Sequence, residues 1–308
     1  MINTLNEINK MATECPEEFI KACNKEYIKN IVDIAKRIEG DDDIKIVAIA
    51  GPSGSGKTTT AHLLQLELER LNEKVAVVSL DDFYLPADKL PILPDGSADI
   101  ESGNSLDITL IKECFDEIIK NGTASLPKYD FKTKARTLNA KRLSIGNRGI
   151  VIIEGLHAMN PLISDLVPRK NIFKIYISVN RSVDDNNGVQ MLSSRQIRLI
   201  RRVLRDDRFR GATATETLHL WNNVIDGERK YLYCFKDTAD VQLVTFHPYE
   251  LGVYRERFGK MRSTVHKNAP CYDYFIKTAN ALERFVAIDS DIVPYNSLIR
   301  EFIGDLKL

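Results

Sequence analysis

Glycines, hydroxyls and one lysine crowd together in Gly51-Pro52-Ser53-Gly54-Ser55-Gly56-Lys57-Thr58-Thr59. The spacing G-x-x-x-x-G-K-[ST] belongs to a loop whose backbone N–H groups converge on a polyphosphate. Gly51, Gly54 and Gly56 allow the tight turn, and Ser53 and Ser55 sit within it. Lys57 is placed to reach the β- and γ-phosphates and Thr58 to ligate Mg²⁺, with Thr59 in the same nucleotide-contacting set. Two acids extend the pattern. Asp81 follows an apolar run, where it would face the terminal phosphate and take a proton from an attacking hydroxyl. Glu154 closes another such run and would hold Mg²⁺ directly or through water. The loop alone specifies a nucleoside triphosphate; what is done with it depends on the residues around it.

These residues need strands that end beside one another. Ile44 to Ala50 is apolar and β-branched enough for a buried parallel strand, and Thr59 to Leu71 carries leucines suited to a helix. Lys74–Leu80, Ile150–Ile153 and Ile172–Val179 read as further strands. Carboxylates at the carboxyl ends of such strands lie where open α/β sheets bind ligands. The expected fold is therefore α/β, a P-loop NTPase fold with a parallel sheet flanked by helices. Residues 1–40 read as a helical preface, packed on the core or against a second subunit, and 41–308 as the P-loop domain. Ile20, Tyr27, Ile31, Ile34 and Ile38 share one helical face of the preface.

Between strands, residues 85–104 form a long polar loop rich in Pro, Gly, Asp and Ser, the kind that often binds or covers a ligand. A helix is expected from Leu106 to Lys120. The segment after Pro127 is basic and includes Tyr129 and Asp130, which could grip a substrate. Residues 180–194 are polar and read as a mobile loop. In Arg195 to Gly211, Ile197, Ile200 and Leu204 share one helical face while Arg195, Arg198, Arg202 and Arg205 share another. So many arginines, ending in Arg210-Gly211, suit a lid over the triphosphate, at about 195–213. Thr213–Tyr233, around Trp221, reads as a helix, Ala239–Phe246 as a short strand and Asn296–Leu306 as a last helix.

Composition bounds the alternatives. With 43 basic and 43 acidic residues, a formal charge of +0 gives no general attraction to nucleic acid or an anionic membrane. Five scattered cysteines without a C-x-x-C pair argue against a disulfide framework or zinc site and fit a reducing cytosol. No apolar run approaches a membrane span.

With these landmarks placed, the sequence resembles the uridine kinase and phosphoribulokinase family of P-loop kinases, closest to its bacterial nucleoside kinase-like branch. The carriers are the glycine loop, Ser79-Leu80-Asp81-Asp82-Phe83-Tyr84, Pro127-Lys128-Tyr129-Asp130-Phe131, Glu154-Gly155-Leu156-His157-Ala158 and Arg201-Arg202-Val203-Leu204-Arg205-Asp206. They occur in family order across about 40 to 245. The resemblance implies ATP and Mg²⁺ as cofactors, Asp81 as general base, Glu154 as magnesium-site acid and Tyr129 as a contact to the nucleoside base. It puts Arg202 and Arg136 near phosphates and substrate, Arg205 and Arg210 with the nucleotide, and Tyr84 in the acceptor pocket. The His-Pro-Asp motif of uridine–cytidine kinases corresponds to Ser102-Gly103-Asn104, and a later histidine to Lys134, so Asn104 and Lys134 are altered acceptor contacts. The expected function is cytoplasmic transfer of the γ-phosphoryl of ATP to a small-molecule alcohol, foremost the 5′-hydroxyl of uridine or cytidine. No nucleic-acid or membrane partner is expected, and a homo-oligomer is compatible. Kept open are another alcohol (sugar, polyol, pantothenate-like or sugar phosphate), a nucleotide-dependent regulatory protein, and a bare ATPase.

Overall fold

The computed structural model describes residues 2–92, 96, 98–130, 133, 135–146 and 149–308. Helices α1 (Leu5–Glu14) and α2 (Pro16–Glu39) lead into β1 (Ile46–Ala50), α3 (Lys57–Arg70) and β2 (Val75–Ser79). Helix α4 (Ile108–Asn121) precedes a hairpin of β3 (Thr123–Asp130) and β4 (Ala135–Ser144). Next come β5 (Ile150–Glu154), a short α5 (Pro161–Ser164), β6 (Ile172–Ser178) and a ribbon of β7 (Val183–Asp184) and β8 (Gln190–Leu192). Helices α6 (Ser194–Arg205) and α7 (Ala214–Tyr231), strand β9 (Val241–Val244) and helices α8 (Glu250–Lys260), α9 (Tyr272–Leu282) and α10 (Arg300–Ile303) follow.

Strands β2, β5, β1, β6 and β9 lie side by side in that order, all parallel. Strand β1 is central, with Ile46 opposite Val151 on one side and Ile172 on the other. Both faces of the sheet are covered, which is why its strands read as continuous apolar runs. Side chains alternate between two cores. Val47 and Ile49 pack with α1, α2, α3 and α6 to α9; Ile46, Ala48 and Ala50 pack with α4 and the hairpin. The N-terminal helices thus join the core beneath the P-loop helix, with Phe19 edge-on to Tyr249 at 6.2 Å.

Local signals set several helix ends. Ser193 with Gln196 and Thr213 with Glu216 form capping boxes for α6 and α7, and Gly122 stops α4 in a left-handed conformation. Two expectations need correction. The polar segment 180–194 carries the β7/β8 pair, with Val183 and Leu192 fully buried. The last segment is helical only over Arg300–Ile303, because Gly304 and Asp305 turn left-handed and the residues before it form turns around buried Leu298. Its apolar spacing reflects burial, and a helix is only one way to achieve that.

Candidate active site

At the end of β1 the chain passes close beneath β6. A Cβ on Gly51 would come within 2.4 Å of the Ile177 carbonyl oxygen, so only glycine fits. Gly54 and Gly56 then adopt φ of +73° and +87°, conformations a side chain would strain. Gly56 caps α3, and no side chain occupies that cap. The first-turn N–H groups and the helix dipole are thereby left to an anion.

The back of this loop is clamped by buried ion pairs. Glu228 accepts the Ser53 N–H at 2.8 Å, while Arg198 donates to the Ser53 carbonyl at 3.1 Å. Arg198 and Glu228 pair at 2.6 Å with almost no solvent access. Arg201, fully buried, donates to the Gly54 carbonyl at 3.2 Å and grips Glu250 at 2.7 and 2.9 Å. Thr245 donates to the Ser55 carbonyl at 2.7 Å. The arginine face expected over 195–205 is therefore divided. Arg195 is exposed, Arg198 and Arg201 are structural, and nine of the twelve residues of α6 are buried. Glu228 from α7 and Glu250 from α8 neutralise the two guanidiniums, which lets a basic arc lie inward. Helix α6 is a wall, and beyond Arg195 the part of the expected lid that reaches solvent is residues 207–211 together with Thr213.

In front of the loop lies a cavity of about 480 Å³. It is lined by Ser53, Gly54, Gly56, Lys57, Thr58, Asp81, Tyr84, Glu154, Arg202, Arg205 and Arg210. The two neighbouring aspartates divide their work. Asp81 lines the cavity, whereas Asp82 holds the hairpin through Lys128 at 3.0 Å and the Tyr129 N–H at 3.3 Å. The Ser79 hydroxyl accepts the Asp81 N–H at 3.4 Å and hydrogen-bonds Glu154, tying the ends of β2 and β5 together. Burial and then the Asp81 charge push the Glu154 carboxyl above the ordinary carboxylate range, with Lys57 opposing them. Burial lowers the Lys57 ammonium, opposed by Glu154 and Asp81. Lys57 Nζ meanwhile donates to the Pro52 carbonyl at 3.3 Å.

Three guanidiniums share one carboxylate at the other wall. Asp206 accepts from Arg205 at 2.9 Å, with Arg202 at 3.3 Å and Arg210 at 3.5 Å. Arg202 also donates to the Ser53 hydroxyl at 2.7 Å. Burial lowers Arg202 and Arg210, and crowding by neighbouring arginines adds to it. Three positive charges against one negative leave this wall cationic, the chemistry an incoming anion relieves. Thr58 Oγ1 lies 3.4 Å from Glu154 Oε1. Two hard oxygens on the cavity wall fit Mg²⁺, which needs one or two protein oxygens and takes the rest from phosphates and water.

Other expected residues fall elsewhere. Gly51 and Ser55 are buried in the loop and do not line the cavity, and Thr59 is buried with its hydroxyl donating to Glu301 at 2.6 Å. Asn104 is exposed in a short turn and does not line the cavity, because its own N–H folds back onto Ser102. Tyr129 is buried against Tyr84, ring centres 5.6 Å apart, one layer behind the cavity wall. Arg136 is engaged by Asp107 at 3.0 Å. Lys134 lies outside the described residues. In place of Asn104, the 85–104 loop offers Asp99 and Glu101 to the cavity. Tyr231 donates to Asp99 at 3.2 Å. Burial raises the Glu101 carboxyl to about 7. His157 is buried, with Nε2 3.0 Å from the Glu101 carbonyl. Acids in a Pro/Gly-rich loop were the available signal for Asp99 and Glu101; for Glu228, Glu250 and Glu301 nothing local marks them. A larger groove of about 540 Å³, between α2 and the edge strand β9, contains none of the motif residues.

The model of the phosphoribulokinase/uridine kinase family matches residues 46–247, more than half of the chain. The chain belongs to that family. The uridine kinase of Mycoplasma genitalium is 29% identical over 181 residues, covering 58% of this chain and 75% of that protein. The uridine kinase of Clostridium novyi is 27% identical over 180 residues, covering 58% and 76%. A solved structure described as a possible uridine kinase from Bacillus stearothermophilus superposes with a TM-score of 0.47 at 19% identity, covering 70% of this chain and 98% of that one. Membership makes this chain an ATP-using phosphotransferase with an alcohol acceptor. Among the described residues, no helix is long and apolar enough to cross a membrane.

Proposed function

We propose that the chain transfers the γ-phosphoryl of ATP to the 5′-hydroxyl of uridine or cytidine, with Mg²⁺. The observation that carries this reading is a single cavity in which the P-loop helix start, Asp81 and the acid pair Asp99 and Glu101 face one another. The relatives' shared name, uridine kinase, supports the acceptor. Asp81 takes the proton of the attacking hydroxyl as it bonds to phosphorus. Lys57, Arg202, Arg205 and Arg210 neutralise the charge that spreads over the transferring group. Thr58 and Glu154 would hold Mg²⁺, which would supply charge neutralisation at the phosphates when bound. Asp99 and Glu101 are positioned to accept from the sugar hydroxyls of the acceptor, and Tyr84, kept protonated by burial beside Asp81, borders the same space.

ADP release measured over uridine, cytidine, sugars, inositols and pantothenate tests this. Turnover with uridine or cytidine is expected; both inert while another alcohol reacts overturns the acceptor. A second reading, a different polyol, draws on Tyr129 and Asn104 standing outside the cavity walls. A regulatory nucleotide-binding role predicts that Asp81→Asn leaves nucleotide-dependent behaviour intact, and a bare ATPase that no alcohol accelerates hydrolysis.

A further inference from the structure

The last turn of the chain reaches the nucleotide end of the cavity, although it lies beyond the family match at residue 247. Leu298 sits directly on the P-loop turn: a Cβ on Gly56 would come within 2.8 Å of its Cδ1. Arg300 ties the turn to the rest of the tail, donating to the carbonyls of Ser290 at 2.9 Å and Val293 at 2.5 Å. Phe302 is buried under the Arg201 guanidinium, 5.0 Å from its ring centre, and edge-on to Tyr254. Glu301, between these anchors, projects into the cavity beside the start of α3. There it accepts the Thr59 hydroxyl at 2.6 Å. Its place is set by the core rather than by a loose terminus.

An ionised carboxylate can only accept hydrogen bonds, and it repels phosphate. The N–H groups of the P-loop and the first turn of α3 are the phosphate cradle. Thr59, the third residue of α3, stands at the edge of that cradle. The part of a nucleotide that adjoins its phosphates and carries donors is the sugar, with its hydroxyls. Thr59 uses its proton to orient Glu301, which leaves the second carboxylate oxygen for another donor.

We propose that Glu301 is a sugar-reading residue of the donor site, accepting from a ribose hydroxyl of the nucleotide. It makes the protein prefer ribonucleoside triphosphates to their deoxy forms, and this rests on the ATP-donor reading above. A hydrogen bond to a charged acceptor is worth about tenfold or more in affinity.

The test is equilibrium titration of the full chain, without acceptor, using ATP, 2′-deoxy-ATP and 3′-deoxy-ATP. The proteins compared are wild type, Glu301→Ala and Glu301→Gln, with melting curves to verify folding. Wild type is expected to bind ATP about tenfold more tightly than at least one deoxy form, and Glu301→Ala to bring that ratio within about twofold. Glu301→Gln keeps an acceptor for Thr59 and the shape of the turn, and is expected to lie between them. An ATP-to-deoxy ratio near one in wild type, or a ratio unchanged in both folded variants, overturns the proposal. So does equal tightening of all three nucleotides in Glu301→Ala, which would make Glu301 merely a repulsive neighbour of the phosphates. Absence of ATP binding in wild type overturns the donor reading itself, and is distinguished from the other results by that fact.

Discussion

On the donor side of the cavity, Arg198 and Arg201 hold the carbonyls of Ser53 and Gly54 from inside the core, each locked to a buried glutamate. On the acceptor side, Glu101 hangs from the loop between β2 and α4, its carbonyl 3.0 Å from His157. The hairpin beside it is pinned by Lys128 and Asp82, with Lys128 largely in solvent. The donor side is thus over-determined by helices α6, α7 and α8, whereas the acceptor side depends on loops and a ribbon. The difference has a physical basis. A phosphate cradle works only if several backbone N–H groups stay aimed at one point, and rigid elements supply that aim. An acceptor pocket needs only a few polar contacts, and loops on a scaffold can supply those.

Asp81 stands where the two sides meet, so its replacement should have the largest effect. Asp81→Asn is expected to lower turnover by about 10²- to 10⁴-fold with ATP binding retained, read by steady-state kinetics and nucleotide titration. Unchanged turnover would remove Asp81 from the chemistry.

The comparison of the sides is broken most directly by stability. Arg201→Ala leaves Glu250 buried and unpaired, and denaturant unfolding should show a loss of about 3–5 kcal/mol. Lys128→Ala on the acceptor side should cost at most about 1 kcal/mol. Equal losses would mean that the acceptor side is as firmly built as the donor side.

Titration sharpens the same contrast, because the two sides respond to pH with opposite sign. Burial lowers His247, under the P-loop, from 6.5 to about 4. The unfolded chain binds that proton first, so the stability it contributes is present above pH 6.5 and lost as pH falls toward 4. Glu101 is raised from 4.5 to about 7, so its contribution is present below pH 4.5 and lost as pH rises through 7. Unfolding curves across pH should show His247→Gln flattening the acid arm by up to about 3 kcal/mol and Glu101→Gln flattening the decline toward neutrality by a similar order. Slopes identical to wild type would show that neither group titrates as its burial requires.

The smallest expected effect tests how far the donor-side support reaches. Tyr27 of α2 lies 2.7 Å from the Thr60 hydroxyl, which donates to the Gly56 carbonyl at 2.6 Å. Tyr27 is therefore the donor of that pair. Tyr27→Phe is expected to cost about 1 kcal/mol in thermal unfolding, because the Thr60 hydroxyl loses that donor while keeping its bond to the Gly56 carbonyl. A change in acceptor KM without one in nucleotide affinity would contradict this link.

The glycine loop, its strand and its helix were legible in sequence because they are local. Positive φ demands glycine, a doubly covered strand demands an apolar run, and both lie within a few residues of Lys57. Asp81 and Glu154 were legible for the same reason, as acids just past buried strands. The 85–104 loop was recognisable as a binding loop, but composition pointed no more to Glu101 than to Asn104, since loop geometry sets which side chain turns inward. Arg198 read with Arg195, Arg202 and Arg205 as one face of a lid and Arg201 went unassigned, because a helix repeat shows two arcs without saying which is inside. Tertiary structure decided that by bringing Glu228 and Glu250 to meet them, and it likewise carried Glu301 across the whole domain to Thr59. Charges can be buried only where opposite charges arrive, and such arrivals come from far along the chain.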